Sequence, residues 1–142
     1  MSSELTLRII TPEKVVLDVT AASVRVPASD GSMGILPRHA SMVAALAEGK
    51  LSYRQGTNAE HLFISGGFAE VRGNTVRVLT GAGETPSEID IERARSAEER
   101  ARARLKPRET GLTAGEAQID LARASAALRR ALARLKLKGY AG

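Results

Sequence analysis

The chain has 142 residues, 43% of them hydrophobic, and a formal net charge of +5. This length is typical of one domain, or of one small domain with an appendage. The absence of cysteine excludes disulfide frameworks, thiolate nucleophiles and cysteine zinc sites, and two histidines cannot build a histidine-rich metal site. No apolar run approaches the length of a membrane span. The N-terminus does not read as a secretory signal, so we expect a reducing, cytoplasmic compartment.

The basic excess lies in the C-terminal part of the chain. Residues 1–87 contain 8 Lys or Arg and 8 Asp or Glu, whereas residues 88–142 contain 13 and 8. This difference predicts two parts with different architectures, and an anionic partner for the second part. We expect a β domain over residues 1–86 and a two-helix hairpin over residues 87–142.

The first part has the pattern of an antiparallel β-sandwich. Short apolar or alternating runs recur between turn residues, which is typical of such folds. The clearest hairpin has Gly73-Asn74 as its turn and directs Val71, Val76 and Val78 inward. The predicted strands are 5–10, 15–19, 24–27, 42–46, 51–54, 61–64, 68–71 and 76–79, with turns that include Glu48-Gly49 and Gly81-Ala82-Gly83.

The second part has the pattern of two helices. The first begins at one of two overlapping start signals, Thr85-Pro86-Ser87-Glu88 or Ser87-Glu88-Ile89-Asp90, and Pro107 ends it. The second begins at the capping box Thr113-Ala114-Gly115-Glu116 and ends at Gly139. The short loop predicts an antiparallel hairpin. Its apolar stripes are Ile91, Ala94, Ala101 and Leu105 on the first helix, and Ala117, Leu121, Ala124, Leu128, Leu132 and Leu135 on the second.

Basic residues recur at helical spacing on both helices. Arg93, Arg100 and Arg104 share one face of the first helix. The corresponding residues of the second are Arg123, Arg130 and Arg134. Such a face suits phosphate binding, although spacing alone favours a solvated surface with intrahelical ion pairs. A nucleic-acid interface is the weaker alternative, because no stacking aromatic residue lies among the arginines.

Catalytic patterns do not occur in this sequence. It contains no phosphate-binding Gly-x-x-x-x-Gly-Lys loop, no His-Glu-x-x-His and no Gly-x-Ser-x-Gly. We interpret Ser65-Gly66-Gly67 as a turn at a strand edge, since no histidine or acid is placed to activate the serine. His39, which follows a glycine-rich loop, is interpreted as a structural or interface residue.

Two stretches of the β part, together with the Ala-rich hairpin, resemble the epsilon subunit of bacterial F-type ATP synthase. Residues 28–40, Ala-Ser-Asp-Gly-Ser-Met-Gly-Ile-Leu-Pro-Arg-His-Ala, are similar to a loop motif of that family, and residues 63–71, Phe-Ile-Ser-Gly-Gly-Phe-Ala-Glu-Val, are similar to its Ser-Gly-Gly-x-x-Glu-Val strand. The resemblance implies an α+β fold: an N-terminal antiparallel β-sandwich followed by a C-terminal helix-turn-helix.

The resemblance also implies a function. It implies a non-catalytic subunit of the rotating central stalk, peripheral to the cytoplasmic face of the bacterial membrane, that couples proton transport to ATP synthesis. Its implied partners are the gamma subunit, the ring of c subunits and the alpha/beta catalytic head, with no nucleic acid. The helices would inhibit ATP hydrolysis when they extend toward the head. The alternative is a stand-alone nucleotide-binding sensor.

The family's residue motifs give two candidate sites. Residues 89–94 match its Ile/Leu-Asp-x-x-Arg-Ala motif for ATP, which would be a regulatory ligand rather than a required cofactor; no metal is implied. Leu36 and Arg38 replace a common aromatic residue and a common glycine, and Ser32 replaces an acid. The implied ATP contacts are Glu84, Ile89, Asp90, Arg93, Ala94, Arg100, Arg130 and Arg134, and the implied c-ring or gamma contacts are Asp30, Ser32 and His39.

Overall fold

A computed structural model describes residues 4–107 and 111–139 of the chain. It divides into two compact units, Met1–Glu88 and Ile89–Gly142. The first consists of β-strands and the second of two α-helices, which confirms the predicted α+β class with an N-terminal sandwich and a C-terminal hairpin.

The described part of the first unit, residues 4–88, has eight strands and ends in a short 3-10 helix at Pro86–Glu88. All neighbouring strands are antiparallel except β1 and β7, which are parallel. The strands are β1 Leu5–Ile10, β2 Val15–Ala21, β3 Ser23–Ala28, β4 Gly31–Ile35, β5 Met42–Gln55, β6 Asn58–Arg72, β7 Thr75–Leu79 and β8 Gly83–Glu84.

The sandwich has two layers because its two longest strands take part in both. The strand order is β2-β1-β7-β6-β5-β3-β4, and β8 pairs with the first half of β6. The second half of β6 pairs with β7, so one layer contains β2, β1, β7 and this half of β6. The other layer contains β3, β4, β8 and the first half of β6, with which β8 pairs. Alternate residues point inward and form one core, as period-two alternation requires. Fully buried members include Leu5, Leu7, Ile9, Val24, Val26, Ile35, Leu51, Leu62 and Ile64.

The structure corrects two predicted turns in the β domain. Glu48-Gly49 lies within β5, and Ser65-Gly66-Gly67 lies within β6 rather than at a strand edge. Gly49, Gly66 and Gly67 have φ values of 159°, 101° and 110°. Glycine can adopt these values without steric cost, and in a strand it often marks a bend. Each pair of short predicted strands is therefore one long, bent strand.

The hairpin at Gly73-Asn74 is confirmed. Val71 pairs with Val76, and both are almost completely buried, as is Val78. The two turn residues have φ values of 48° and 30°, which is the left-handed conformation that two-residue hairpins favour. By contrast, the sequence did not indicate strand β4, because three of its five residues are glycine or serine.

Two helices form the second unit. Helix α1 spans Ile91–Leu105 and helix α2 spans Ala114–Leu137. The Thr113 capping box is confirmed by reciprocal hydrogen bonds of 2.9 and 3.2 Å with Glu116. Both predicted starts of the first helix are wrong, since the N-cap is Asp90, whose Oδ1 accepts a hydrogen bond of 3.1 Å from the Arg93 N–H. The chain makes one 3-10 turn before α1 begins.

Alanines form the seam between the two helices. The buried alanines are Ala94 and Ala101 on α1, and Ala124 and Ala131 on α2. Within each pair the spacing is seven residues, so the two members lie on one face. Leu121 was predicted for this stripe but is 44% exposed, whereas Ala131, which was not, is fully buried. Small side chains let the helices approach closely but bury little area, so the seam contributes modestly to stability.

The 3-10 turn contains a carboxylate with a shifted pKa. Glu88 Oε1 accepts hydrogen bonds from the Thr85 backbone N–H at 3.0 Å and from the Thr85 hydroxyl at 2.8 Å. The backbone bond is the larger cause and the hydroxyl the next, and together they hold the pKa of Glu88 below its usual value of 4.5. The turn thus uses the predicted capping interaction without starting the α-helix.

We expect this turn to loosen in acid. Because the folded pKa of Glu88 is lowered, its stabilising contribution is complete above the unfolded value near 4.5 and is lost as the pH falls through the folded value. An NMR titration of the Glu88 carboxyl carbon should give a midpoint below 4.5. Thr85→Val should move that midpoint upward, since it removes the hydroxyl donor. An unchanged midpoint in Thr85→Val would contradict this assignment.

Candidate functional site

Arginines on the two helices lie on the same side of the hairpin. The helices run antiparallel, because the end of α1 and the start of α2 line one groove that includes Leu105, Ala117 and Leu121. Arg93 precedes seam residue Ala94, and Arg130 precedes seam residue Ala131. Consecutive residues of a helix are rotated by roughly 100° about its axis. On two antiparallel helices, the residues that directly precede the seam residues therefore lie on the same side of the seam.

Three of these arginines also lie at one level of the hairpin. Ala101 and Ala124 line one small cavity, and the equal seven-residue spacing then places Ala94 beside Ala131. At about 1.5 Å per residue, Arg93, Arg130 and Arg134 fall within about 6 Å along the axis. We call these three residues the arginine trio. Arg93 is exposed, and the two on α2 are half-buried.

Arg100 lies farther along the hairpin. It is seven residues from Arg93 on the same helix, which corresponds to about 10 Å. It lines the small cavity of about 110 Å³ together with Arg104, over a floor that includes Ala101 and Ala124. The structure therefore groups Arg100 with Arg104 rather than with the arginine trio. On the other side of the hairpin, Arg102 Nε pairs with Glu98 Oε1 at 3.0 Å, an intrahelical ion pair of the kind that helical spacing favours.

The Ile-Asp-x-x-Arg-Ala motif forms the start of α1. Ile89 is 4% exposed, Asp90 caps the helix, and Ala94 enters the seam. The Asp90 carbonyl oxygen accepts the first helical hydrogen bond, from Ala94 N–H at 3.0 Å. The motif thus has a structural role that sets where the helix begins, and it places Arg93 in the first turn of α1, where the arginine trio forms.

Glu84 belongs to the other unit. It is a half-buried residue of β8, paired with Phe63 of β6. The other seven candidate ATP contacts are Ile89, Asp90, Arg93, Ala94, Arg100, Arg130 and Arg134, and all lie in the hairpin unit. Within that unit the structure brings Arg93, Arg130 and Arg134 together and leaves Arg100 apart.

The β domain carries an exposed apolar row that the sequence did not reveal. Across the outer face of one layer, Val15 pairs with Ile10, Ile10 with Leu79, Leu79 with Phe68, and Phe68 with Ala45. We call these five residues the apolar row. Val15, Phe68 and Leu79 are 59%, 57% and 49% exposed, and the neighbouring Val43 is 66% exposed.

Exposed apolar patches of this kind mark interaction surfaces, among them protein–protein interfaces. Beside it, a groove of about 370 Å³ is lined by Pro12, Gly67, Leu79 and Thr80. The next row along the same face is charged, with Glu70 paired to Arg77 and Arg8 in a salt bridge of 3.4 Å with Asp18. The sequence does not indicate this row, because its members come from five different strands.

The candidate contacts Asp30, Ser32 and His39 do not form one cluster. Asp30 and Ser32 are exposed at one end of β4, and the Ser32 hydroxyl accepts a hydrogen bond of 3.2 Å from Arg25 Nη1. His39 is half-buried beyond the other end of β4, with its Nδ1 2.8 Å from the Ala40 carbonyl oxygen. A five-residue strand is about 16 Å long, so these residues belong to two separate surfaces.

The rest of the described surface adds no second candidate centre. Within residues 4–107 and 111–139, no three His, Asp or Glu residues are grouped to hold a metal ion, and no helix is long and apolar enough to cross a membrane. A groove of about 430 Å³ on the other layer is lined by residues that include Arg25, Tyr53, Arg54 and His61. Burial, and then the charge of Glu60, raise the pKa of Tyr53 above its usual 10.0. None of the predicted site residues lines this groove.

Family models match both units of the chain. The model described as ATP synthase, delta/epsilon chain, beta-sandwich domain matches residues 4–86. The model described as ATP synthase, delta/epsilon chain, long alpha-helix domain matches residues 87–139.

Individual proteins show the same likeness. The chain is 48% identical over 105 residues to the ATP synthase epsilon chain of Lawsonia intracellularis, covering 74% of this chain and 79% of that one. It is 47% identical over 111 residues to the epsilon chain of Symbiobacterium thermophilum, covering 78% and 80%. Among solved structures it is similar to a chain of the Euglena gracilis mitochondrial ATP synthase, OSCP/F1/c-ring in rotational state 1. That match has a TM-score of 0.77 at 25% identity, and covers 92% of this chain and 79% of that chain.

Proposed function

The chain belongs to the ATP synthase delta/epsilon chain family, and from that premise we propose how this central-stalk subunit acts. Its β domain binds the gamma subunit and the ring of c subunits, and thereby couples proton transport to ATP synthesis. Its hairpin inhibits ATP hydrolysis when it extends toward the alpha/beta head. The subunit carries out no chemistry itself and is peripheral to the cytoplasmic face of the membrane.

The docking part of this proposal rests on the apolar row. A row of five apolar residues across five strands, four of them exposed and Ile10 half-buried, is costly for a free domain, because it leaves hydrophobic surface in water. Covering it with a partner removes that cost. Phe68 is the largest side chain of the row, and it lies between Leu79 and Ala45 on neighbouring strands. We assign this face to the gamma subunit.

Phe68→Asp should therefore weaken binding of the full chain to its cognate gamma subunit by at least tenfold. The variant removes the exposed aromatic side chain of the row and places an unpaired carboxylate in the interface. Because Phe68 is 57% exposed in the free chain, folding should be unaffected. Titration calorimetry measures the affinity, and circular dichroism checks the fold.

Ala59→Asp is the matched control. It adds the same charge to an exposed position of the same strand, in the half of β6 that belongs to the other layer. It should bind gamma as the unaltered chain does. Equal losses in the two variants would contradict the assigned face. If the unaltered chain did not bind gamma at all but did bind ATP, the stand-alone sensor would be the better description.

The observation that carries the regulatory part is the arginine trio. One member lies on α1 and two lie on α2, so a triphosphate that binds all three must hold the helices together. Guanidinium groups suit this ligand because each can donate two hydrogen bonds to phosphate oxygens. A ligand that binds only the hairpin in which the two helices pack together shifts the population toward that state. ATP would thus favour this packed, non-inhibitory hairpin.

A further inference from the structure

The turn between β4 and β5 holds an arginine in an unfavourable backbone conformation. The His39 N–H donates to the Leu36 carbonyl oxygen at 3.2 Å, which closes a four-residue turn with Pro37 second and Arg38 third. Arg38 has a φ of 68°. Proline followed by a positive φ is the pattern of a type II turn, whose third position favours glycine. An L-residue with a side chain is disfavoured there because its Cβ crowds the backbone.

One side chain from a distant part of the chain holds this turn. The Arg38 N–H donates to Asn74 Oδ1 at 2.7 Å, across 36 positions of sequence. Asn74 is itself the second residue of the β6–β7 turn, and its carbonyl oxygen accepts a hydrogen bond of 2.8 Å from the Thr6 N–H at the start of β1. Asn74 therefore fastens the β4–β5 turn to two elements of the rigid sandwich.

The held turn borders the proposed docking face. It leads directly into β5, whose Val43 is 66% exposed beside the apolar row. Leu36, at the first position of the turn, is 63% exposed and lines the groove of about 430 Å³ on the other layer. The turn thus joins the layer that carries the groove to the layer that carries the apolar row, and the Asn74–Arg38 hydrogen bond is one of the interactions that hold it.

We propose that Asn74 is a positioning residue, which holds the Leu36–His39 turn in the conformation that binds the partner subunits of the stalk. This rests on the proposed function, in which the β domain binds the gamma subunit and the c-ring. Asn74 need not touch the partner, because its effect passes through the Arg38 backbone. If Arg38 were glycine, the turn would be stable without help, and Asn74 would no longer be needed.

Three variants of the full chain test this proposal. Asn74→Gly removes the acceptor but keeps a residue that adopts the left-handed turn. Asn74→Asp keeps the acceptor oxygen. The double variant Arg38→Gly/Asn74→Gly places glycine at the position with positive φ, so that the turn no longer needs the Asn74 acceptor. The readouts are amide hydrogen exchange at Arg38 and the affinity for a reconstituted complex of cognate gamma and c-ring.

We expect Asn74→Gly to speed exchange at the Arg38 amide and to weaken binding, each by about two- to tenfold, the range that corresponds to one hydrogen bond. Asn74→Asp should stay close to the unaltered chain, and the double variant should recover the affinity. A purely structural role would not give that recovery, since a second glycine only adds freedom to the unfolded chain. Unchanged affinity in Asn74→Gly, or no recovery in the double variant, would overturn the proposal. Failure of the unaltered chain to bind the complex would instead refute the proposed function.

Discussion

Gly67→Ala is expected to destabilise the β domain by about 3 kcal/mol or more, the largest effect that we expect of any single substitution. A Cβ at this position would overlap the carbonyl oxygen of Leu79 on the neighbouring strand, whose carbonyl carbon would lie at 2.9 Å. Both atoms belong to the backbone and cannot rotate away. The φ of 110° adds strain for any residue with a side chain. Urea unfolding followed by far-ultraviolet circular dichroism measures the loss.

Gly73→Ala provides the matched control for this substitution. Gly73 also has a positive φ, of 48°, but a Cβ there would meet no atom within 4 Å. It should cost only the conformational penalty of about 1–2 kcal/mol. The difference between the two variants then reports the overlap with β7 together with the greater strain of a φ of 110° than of 48°. Equal destabilisation would show that the backbone conformation, rather than the approach of the two strands, requires glycine at position 67.

Arg130→Ala should weaken ATP binding to the isolated chain by about tenfold to hundredfold. A hydrogen bond to a charged group contributes about 1.5–3 kcal/mol, and Arg130 supplies such bonds to the phosphates in our proposal. Arg93→Ala should lose a similar amount. Arg100→Ala should lose less, because Arg100 lies about 10 Å farther along the hairpin. Titration calorimetry with ATP measures each affinity. In the reconstituted enzyme, ATP should also relieve inhibition of hydrolysis less well in Arg130→Ala.

Arg129→Ala separates a specific contact from a change of net charge. It removes the same charge from the neighbouring position, which is exposed and rotated away from the arginine trio. It should bind ATP nearly as tightly as the unaltered chain does. Equal losses for Arg129→Ala and Arg130→Ala would indicate a diffuse electrostatic effect. If the unaltered chain bound no ATP at millimolar concentration, the arginine trio would not be a nucleotide site.

The candidate sites can be predicted from the sequence to different degrees. The motif at residues 89–94 is contiguous, so the order of amino acids is enough to recognise it. Its arginine partners on α2 come beside it only through the packing of the seam, in which Ala131 is buried and Leu121 is exposed. The apolar row cannot be predicted from the sequence, because neighbours in the sheet such as Leu79 and Ile10 are far apart in the chain.

Local patterns in the sequence were sufficient to predict those elements whose signals lie within a few residues. Capping residues, the Gly73-Asn74 turn and alternating apolar residues act over a few positions, so Thr113 and Val76 could be placed from their neighbours alone. The uneven distribution of charge likewise separated the two parts. These features depend on backbone and side-chain chemistry within one turn or one hairpin.

How those elements are joined, and which residues they bring together, depends on contacts between distant parts of the chain. Gly66 and Gly67 could have ended a strand, but the pairing of β6 with β5 and β7 makes them a bend within one. Asp90 rather than Thr85 caps α1, although both can cap a helix. The apolar row, the arginine trio and the hold of Asn74 on Arg38 each join residues from separate elements. Contacts between distant residues depend on the packing of the whole domain, and local patterns do not specify them.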